Sequence, residues 1–275
     1  MTPTLDPTYR ARAVPAGSAR YWSWLFASSA ARAPLLGVFA LQAEWNALMD
    51  PATEPGAARL KLAWWQEEIR RLVARKPVHP IGGYLLSLPR AAEVDFAPLA
   101  LAIDAAVAEA SGVPLERGTE LELHASALRG APLAVASRLT AAATDEAGLQ
   151  HCVRSLAVAD YLVRAARDYR QDARFGRVPF AVDELLAADI DNTDLCAAKP
   201  PDRLARYLQK LRERALLGYQ SAARVLPAAC RPQQRHLLVL ASLGSNHLER
   251  SAAALESGRM RDMLLAWSTA RRAHG

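Results

Sequence analysis

The chain is poor in the features that mark several large protein classes. It has three cysteines in 275 residues, Cys152, Cys196 and Cys230, odd in number and far apart. That argues against a disulfide framework or a cysteine-built metal cluster and for a reducing compartment. Aromatic residues are only 7% of the chain. Period-two runs of Val, Ile, Thr and Tyr are missing, as are Asn-Gly and Asp-Gly turns, so nothing marks a strand or a hairpin. No apolar run reaches transmembrane length, and the N-terminus lacks a basic-then-apolar signal pattern. The expectation is a cytoplasmic protein, with peripheral contact to the inner membrane left open. There is no P-loop, no glycine-rich dinucleotide motif, no Ser-His-Asp order and no zinc-finger spacing.

What is present is helical material. Hydrophobic residues make up 51% of the chain, many of them alanine and leucine, the strongest helix formers. The fold class is therefore all-α, and the length suffices for a sizeable buried core. The net charge is +6, and the excess is arginine spread along the chain. A basic surface serves nucleic acid, an anionic membrane face or a phosphorylated ligand. Arginine suits forked contact with phosphate, which puts a diphosphate ligand ahead of nucleic acid; nucleic-acid binding rests on charge alone and is not expected.

Residues 1–17 are non-periodic and read as an irregular N-terminal arm, with one helical domain over 18–275. Residues 18–49 carry helical spacing, as two helices or one bent one, and end at Asp50-Pro51 because the residue before proline disfavours helix. In 57–74, Leu62, Trp65, Ile69 and Leu72 form one apolar stripe; Trp65 is expected in the core and Trp64 half-buried. His79-Pro80 is a turn before a short helix. Gly112 and Pro114 end a helix over 96–111. A helix over 115–127 follows, and Gly130-Ala131-Pro132 opens the next. Asp145 is an N-cap for a long helix over 146–174. Residues 186–201 are a polar loop, Asp202 caps a helix to about 226, and helices over 233–256 and 259–271 close the chain.

The chemistry concentrates in residues 164–185, RAARDYRQDARFGRVPFAVDEL. Asp168 and Asp172 lie four apart, on one helix face. Two carboxylates there repel each other unless a cation lies between them, either a divalent metal or arginines such as Arg164. Arg170, Arg174 and Arg177 are phosphate candidates, or else a solvated basic helix end that favours the dipole. Glu120 and Glu122 point to different faces of their helix, with Glu122 toward any cavity. His124 and His79 read as structural.

This stretch resembles the second aspartate-rich segment of the squalene/phytoene synthase family: Arg167-Asp168, Asp172, Gly176-Arg177-Val178 and Asp183-Glu184-Leu185 match it in order and spacing. FALQAEWNALMD (39–50) sits where that family has its first aspartate-rich segment, ARLKLAWWQEEI (58–69) resembles the following helix, and ELELHASAL (120–128) the helix leading to the substrate cavity. The resemblance spans roughly residues 20–255. It implies the all-α isoprenoid-synthase fold, with a central cavity between two facing acidic helices. It further implies Mg²⁺ bridging those acids to a prenyl diphosphate, two of which are condensed head to head with diphosphate release; NADPH would serve a reductive step, though no motif supports it. On that basis Asp168, Asp172 and Glu44 are the metal and catalytic candidates, and Arg167, Arg170, Arg174, Arg177 and Tyr21 the substrate-binding ones.

Two positions depart from the family pattern. The i+4 partner of Glu44 is Leu48 rather than an acid, and Arg164 stands where the second segment usually has asparagine. An arginine there either takes a metal's place with its own charge or repels a metal. The single glutamate in FALQAEWNALMD looks most like a divergent branch that includes mitochondrial complex I assembly factors. That branch supplies the alternative: a non-catalytic protein that binds a lipid-like ligand or a protein partner.

Overall fold

The computed structural model describes residues 4–50, 53–142, 145–250 and 259–273. Among them the chain is helical, with no strand beyond an isolated bridge between Leu115 and Ala181. The helices are α1 (Pro7–Ala13), α2 (Ala19–Leu25), α3 (Ser29–Met49), α4 (Pro55–Val73), α5 (Pro80–Leu86), α6 (Pro98–Ala110), α7 (Gly118–Ala125), α8 (Ala131–Thr140), α9 (Glu146–Arg174), α10 (Val182–Ala187), α11 (Asn192–Cys196), α12 (Asp202–Val225), α13 (Arg231–Glu249) and α14 (Arg259–Arg272).

Local chemistry sets several of these limits. The Asp145 side chain accepts from the Gly148 amide and starts α9. Gly176, at φ +73°, ends it in a conformation that a side chain would strain. His79 caps α5 by accepting from the Ile81 amide. On α4 the expected stripe is the one that faces inward: Leu62, Trp65, Ile69 and Leu72 are all buried, and Trp64 is half exposed. A large apolar side chain removed from water contributes about 1.5–3 kcal/mol, so this stripe suffices to seat α4 against α6.

Four expectations need correction. Residues 7–13 are not irregular. Asp6 accepts from the Thr8 amide and Pro7 opens the first turn, so α1 forms and lies on α3. There is no loop between α7 and α8. Residues Ser126–Gly130 form one π turn that keeps the two helices continuous. Pro132 lacks the N–H that an α-helical bond at that point would need, which favours this wider turn. The 186–201 loop contains α11, closed by a capping box between Asp191 and Asp194. Pro201, not Asp202, is the N-cap of α12. The helix read over 233–256 is observed as α13; residues 251–256 lie outside the described residues.

The 29-residue α9 is the central element. It packs along α12 and touches α7, α8, α11, α13 and the π turn. Tyr161, Leu162 and Ala165 are buried on it. Helix α3 is enclosed by α1, α2, α4, α5, α6, α8 and α13. The functional space lies between α3 and α9.

Candidate functional site

Two adjoining cavities open between α3 and α9. The larger has a volume of about 780 Å³ and is lined on its apolar side by Phe39, Leu133, Leu156, Ala157, Leu240 and Leu248. Its charged lining comprises Arg20, Arg129, Arg167, Arg212 and Arg250, with one aspartate, Asp160, and His247. The smaller, about 360 Å³, is polar and shares Arg20, Arg129, Asp160, Val163 and Arg167 with it. Asn46, Asp50, Glu109, Arg164, Asp168, Gln171 and Asp172 also line this second space. The whole is an apolar chamber ending in a charged vestibule.

Helix geometry decides which predicted residues arrive there. From α9, Arg167, Asp168 and Asp172 do. Arg170 and Arg174 sit two residues beyond the aspartates, about 200° around the helix. Arg170 stacks over Tyr169 and donates to its hydroxyl at 3.0 Å, and Arg174 is exposed. Neither lines either cavity. Arg177 donates to the Met49 carbonyl at 2.5 Å and lines a small recess behind Asp172. Tyr21 packs against Trp22 and Trp24, away from the cavities. Glu122 pairs with Arg154 and Arg214 instead of facing the cavity.

Glu44 does not face the aspartates. It lies two residues from both Gln42 and Asn46, so it points nearly opposite to them. Arg12 of α1 holds its carboxylate at 2.9 Å. The helix expected to be an irregular arm thus takes up the charge of the one acid in the first segment. Gln42 lines the apolar chamber and Asn46 the vestibule, an i,i+4 pair of neutral amides facing α9. Asp50, at the end of α3, does reach the vestibule.

The aspartates of α9 are already partnered. Arg167 grips Asp168 through two bonds of 2.7 Å each. Arg164 reaches Asp172 at 3.5 Å and Glu109 of α6 at 2.8 Å. Glu109 also bonds His124 at 3.0 Å. The result is a largely enclosed chain His124–Glu109–Arg164–Asp172. Burial alone would raise the Glu109 carboxyl, but the His124 hydrogen bond and the charges of Arg164 and Arg129 outweigh it and hold the pKa below the ordinary 4.5. Asp172 goes the other way. Burial, with repulsion from Glu109 and Asp168, pushes its pKa above the ordinary 3.8 despite Arg164.

That shift yields a signed prediction. A carboxyl whose folded-state pKa is raised costs stability as the pH rises above its unfolded-state value, and the cost is complete above the folded-state one. Asp172→Asn is therefore expected to raise the melting temperature at pH 7. The gain should vanish on acidification below the ordinary aspartate range. A melting curve at each pH checks this. A carboxylate kept at a cost to stability is a mark of function.

Sequence reasoning missed Arg20 and Arg129. Arg129 sits on the π turn between α7 and α8, 9% exposed. Its nearest polar partners are distant, Asn46 at 3.5 Å and Asp160 at 3.9 Å, and its Nε has no hydrogen-bond partner. Arg20 lies over the Phe39 ring. Burial and the neighbouring Arg129 lower its pKa to about 10. Two adjacent, desolvated arginines thus meet at the junction of the apolar and polar spaces, and Arg129 has only distant acceptors there. Only the Gly130-Ala131-Pro132 break marked the π turn in the sequence.

The squalene/phytoene synthase family model matches residues 14–265. The chain belongs to that family. Among solved structures it is similar to a dehydrosqualene synthase crystallised with a ligand, at 13% identity, TM-score 0.65, covering 97% of this chain and 96% of that one. It is also similar to squalene synthase HpnC from Alicyclobacillus acidocaldarius, at 18% identity, TM-score 0.66, covering 93% of each chain. These likenesses establish the isoprenoid-synthase-like all-α fold. No curated relative matches.

The family implies Mg²⁺, and the donor set of this site fits a two-sided metal cluster poorly. Magnesium needs near-octahedral oxygen ligands, with carboxylates supplying the charge. Here the α3 side offers the amides Gln42 and Asn46 with a single carboxylate, Asp50, at its end, and both aspartates of α9 carry an arginine. Among the described residues, no group of three or more His, Cys, Asp and Glu side chains is arranged to hold a metal ion.

Proposed function

We propose that this squalene/phytoene synthase family member binds a prenyl diphosphate or a closely similar anionic lipid without a divalent metal. The apolar tail lies in the 780 Å³ chamber. The anionic head sits at Arg20 and Arg129, with Arg167 beside them. One observation carries the reading: the chamber combines an apolar lining with five arginines against a single aspartate. A hydrocarbon chain with a polyanionic end is complementary to such a space.

Farnesyl diphosphate is the probe. It is expected to stabilise the protein against heat to the same extent in excess EDTA as in Mg²⁺, through preferential binding to the folded state. Stabilisation that requires Mg²⁺ would overturn the metal-free reading.

A second reading is head-to-head condensation of two prenyl diphosphates. It is favoured by the placement of Asp168 and Asp172 together on the vestibule wall. Release of diphosphate from farnesyl or geranylgeranyl diphosphate, with Mg²⁺ and NADPH supplied, would establish it.

A further inference from the structure

Helix α14 presents an unusual outer face. Its exposed residues are Arg259, Met260, Arg261, Leu264, Trp267, Arg271 and Arg272, four arginines and three large apolar side chains with no acid among them. Asp262, the acid of the first turn, is buried and turned inward to His247 at 3.0 Å and Arg250 at 3.4 Å. Met260, Leu264, Trp267 and Arg271 fall within a stripe about 60° wide at 100° per residue. The Arg271 guanidinium lies over the Trp267 ring at 4.8 Å. The opposite face is anchored: Ala266 and Ala270 pack with Val239 and Leu243 of α13, with Trp22 of α2 and with Phe26, which follows α2. The helix is therefore fixed to the body with its apolar and basic face in solvent.

We infer that α14 is a membrane-docking helix, which lies in the headgroup region of an anionic bilayer with Met260, Leu264 and Trp267 inserted among the acyl chains. The charge argues for a lipid surface. A protein partner would meet a narrow apolar stripe flanked by exposed arginines, whereas anionic headgroups complement all four cations while the stripe enters the acyl region. Tryptophan is at home at that depth, and long arginine side chains reach back to the headgroups from a buried stem.

The position of α14 also fits. His247 and Arg250, which hold its first turn, both line the large apolar chamber. Docking α14 thus brings one end of the chamber to the bilayer surface, so that a lipid-like ligand passes between membrane and cavity with little exposure to water. The docking surface stands on α14 alone and does not depend on which ligand the chamber takes.

The test is co-sedimentation of the full chain with vesicles of phosphatidylcholine alone and of phosphatidylcholine containing phosphatidylglycerol. The wild type is expected to sediment with the anionic vesicles only. The double variant Leu264→Ser, Trp267→Ser is expected to lower the partition coefficient by roughly tenfold or more, because the apolar part of the interaction is lost. Both side chains are exposed, so circular dichroism and the melting curve should be unchanged and show that the fold is intact. Failure to sediment with anionic vesicles at low salt overturns the inference. So does undiminished binding by the double variant, which would reveal the arginines as a bare polyanion site. A dimer seen by light scattering and abolished in the variant would also overturn it, since the stripe would then be covered by a second copy.

Discussion

Replacing Glu109 with alanine is expected to cost about 3–5 kcal/mol of stability, as breaking one partner of a buried ion pair does. In a chain of this size that is a fall in melting temperature of roughly 10 °C. The Glu109 carboxylate serves two groups at once, Arg164 at 2.8 Å and His124 at 3.0 Å. Arg164 is only 18% exposed at its side chain, and its remaining acidic partner, Asp172, lies farther off at 3.5 Å. Without Glu109 the guanidinium stays desolvated beside one carboxylate that is itself reluctant to ionise. The loss should therefore come from the orphaned cation more than from the missing bond. Glu109→Ala combined with Arg164→Met separates the two. The double variant should recover part of the stability, because the buried guanidinium is removed together with its closest partner, while Asp172 loses Arg164 and is left without that cation. If the double variant is as unstable as the single one, the pairing account is wrong.

The pH dependence of the same group has a definite sign. A carboxyl whose folded pKa is depressed contributes stability above its unfolded value and loses it as the pH falls through the folded value. Glu109 is depressed below 4.5. The difference between wild type and Glu109→Ala should thus be full at neutral pH and shrink only below about 4.5. Asp172 runs in the opposite sense, so the two neighbours should be distinguishable by where in the titration each variant departs from wild type.

The fold was legible wherever a helix had one buried face and chemically marked ends. Helix α9 shows this: Asp145 starts it, Gly176 ends it, and its aspartates fall on the stripe the spacing requires. Helix α4 shows it too, with Trp65 inward and Trp64 at the edge. The orientation of α3 was not legible. From Ala31 to Met49 its buried residues run around the whole helix, so no polar face tells which way Glu44 points. Position along the chain makes Glu44 the family's first-segment acid, but its neighbour in the structure is Arg12, on a helix without a periodic pattern. Arg170 and Arg174 miss the two cavities for a simpler reason: they lie half a turn from Asp168 and Asp172. Arg129 was hidden by a π turn, whose extra residue per turn shifts every side chain after it. The Glu109–His124 pair joins α6 to α7 across 15 residues; neither local pattern implies the other.

Arg129→Gln is expected to weaken farnesyl diphosphate binding by roughly 10- to 100-fold, the worth of about 1.5–3 kcal/mol from charge-assisted bonds to the head group. The same change should leave stability nearly unchanged. Arg129 has no close acceptor in the protein, with Asn46 at 3.5 Å and Asp160 at 3.9 Å, and it stands beside Arg20, whose pKa it helps to depress. Removing one of two like charges relieves repulsion, which offsets the small loss of contact. A side chain that matters to the ligand and hardly to the fold is what a binding residue looks like in a titration set against a melting curve. The contrast is Asp168→Asn. Where a metal carries the head group, that variant should abolish binding and Arg129→Gln should only weaken it. Where arginines carry it, Asp168→Asn removes one of the two acceptors and the charge that hold Arg167 and makes the vestibule more positive, so binding in EDTA should be kept or tightened. Calorimetry on the two variants with and without EDTA reads the difference directly. Unchanged affinity in Arg129→Gln would remove the head-group site from the junction of the two cavities.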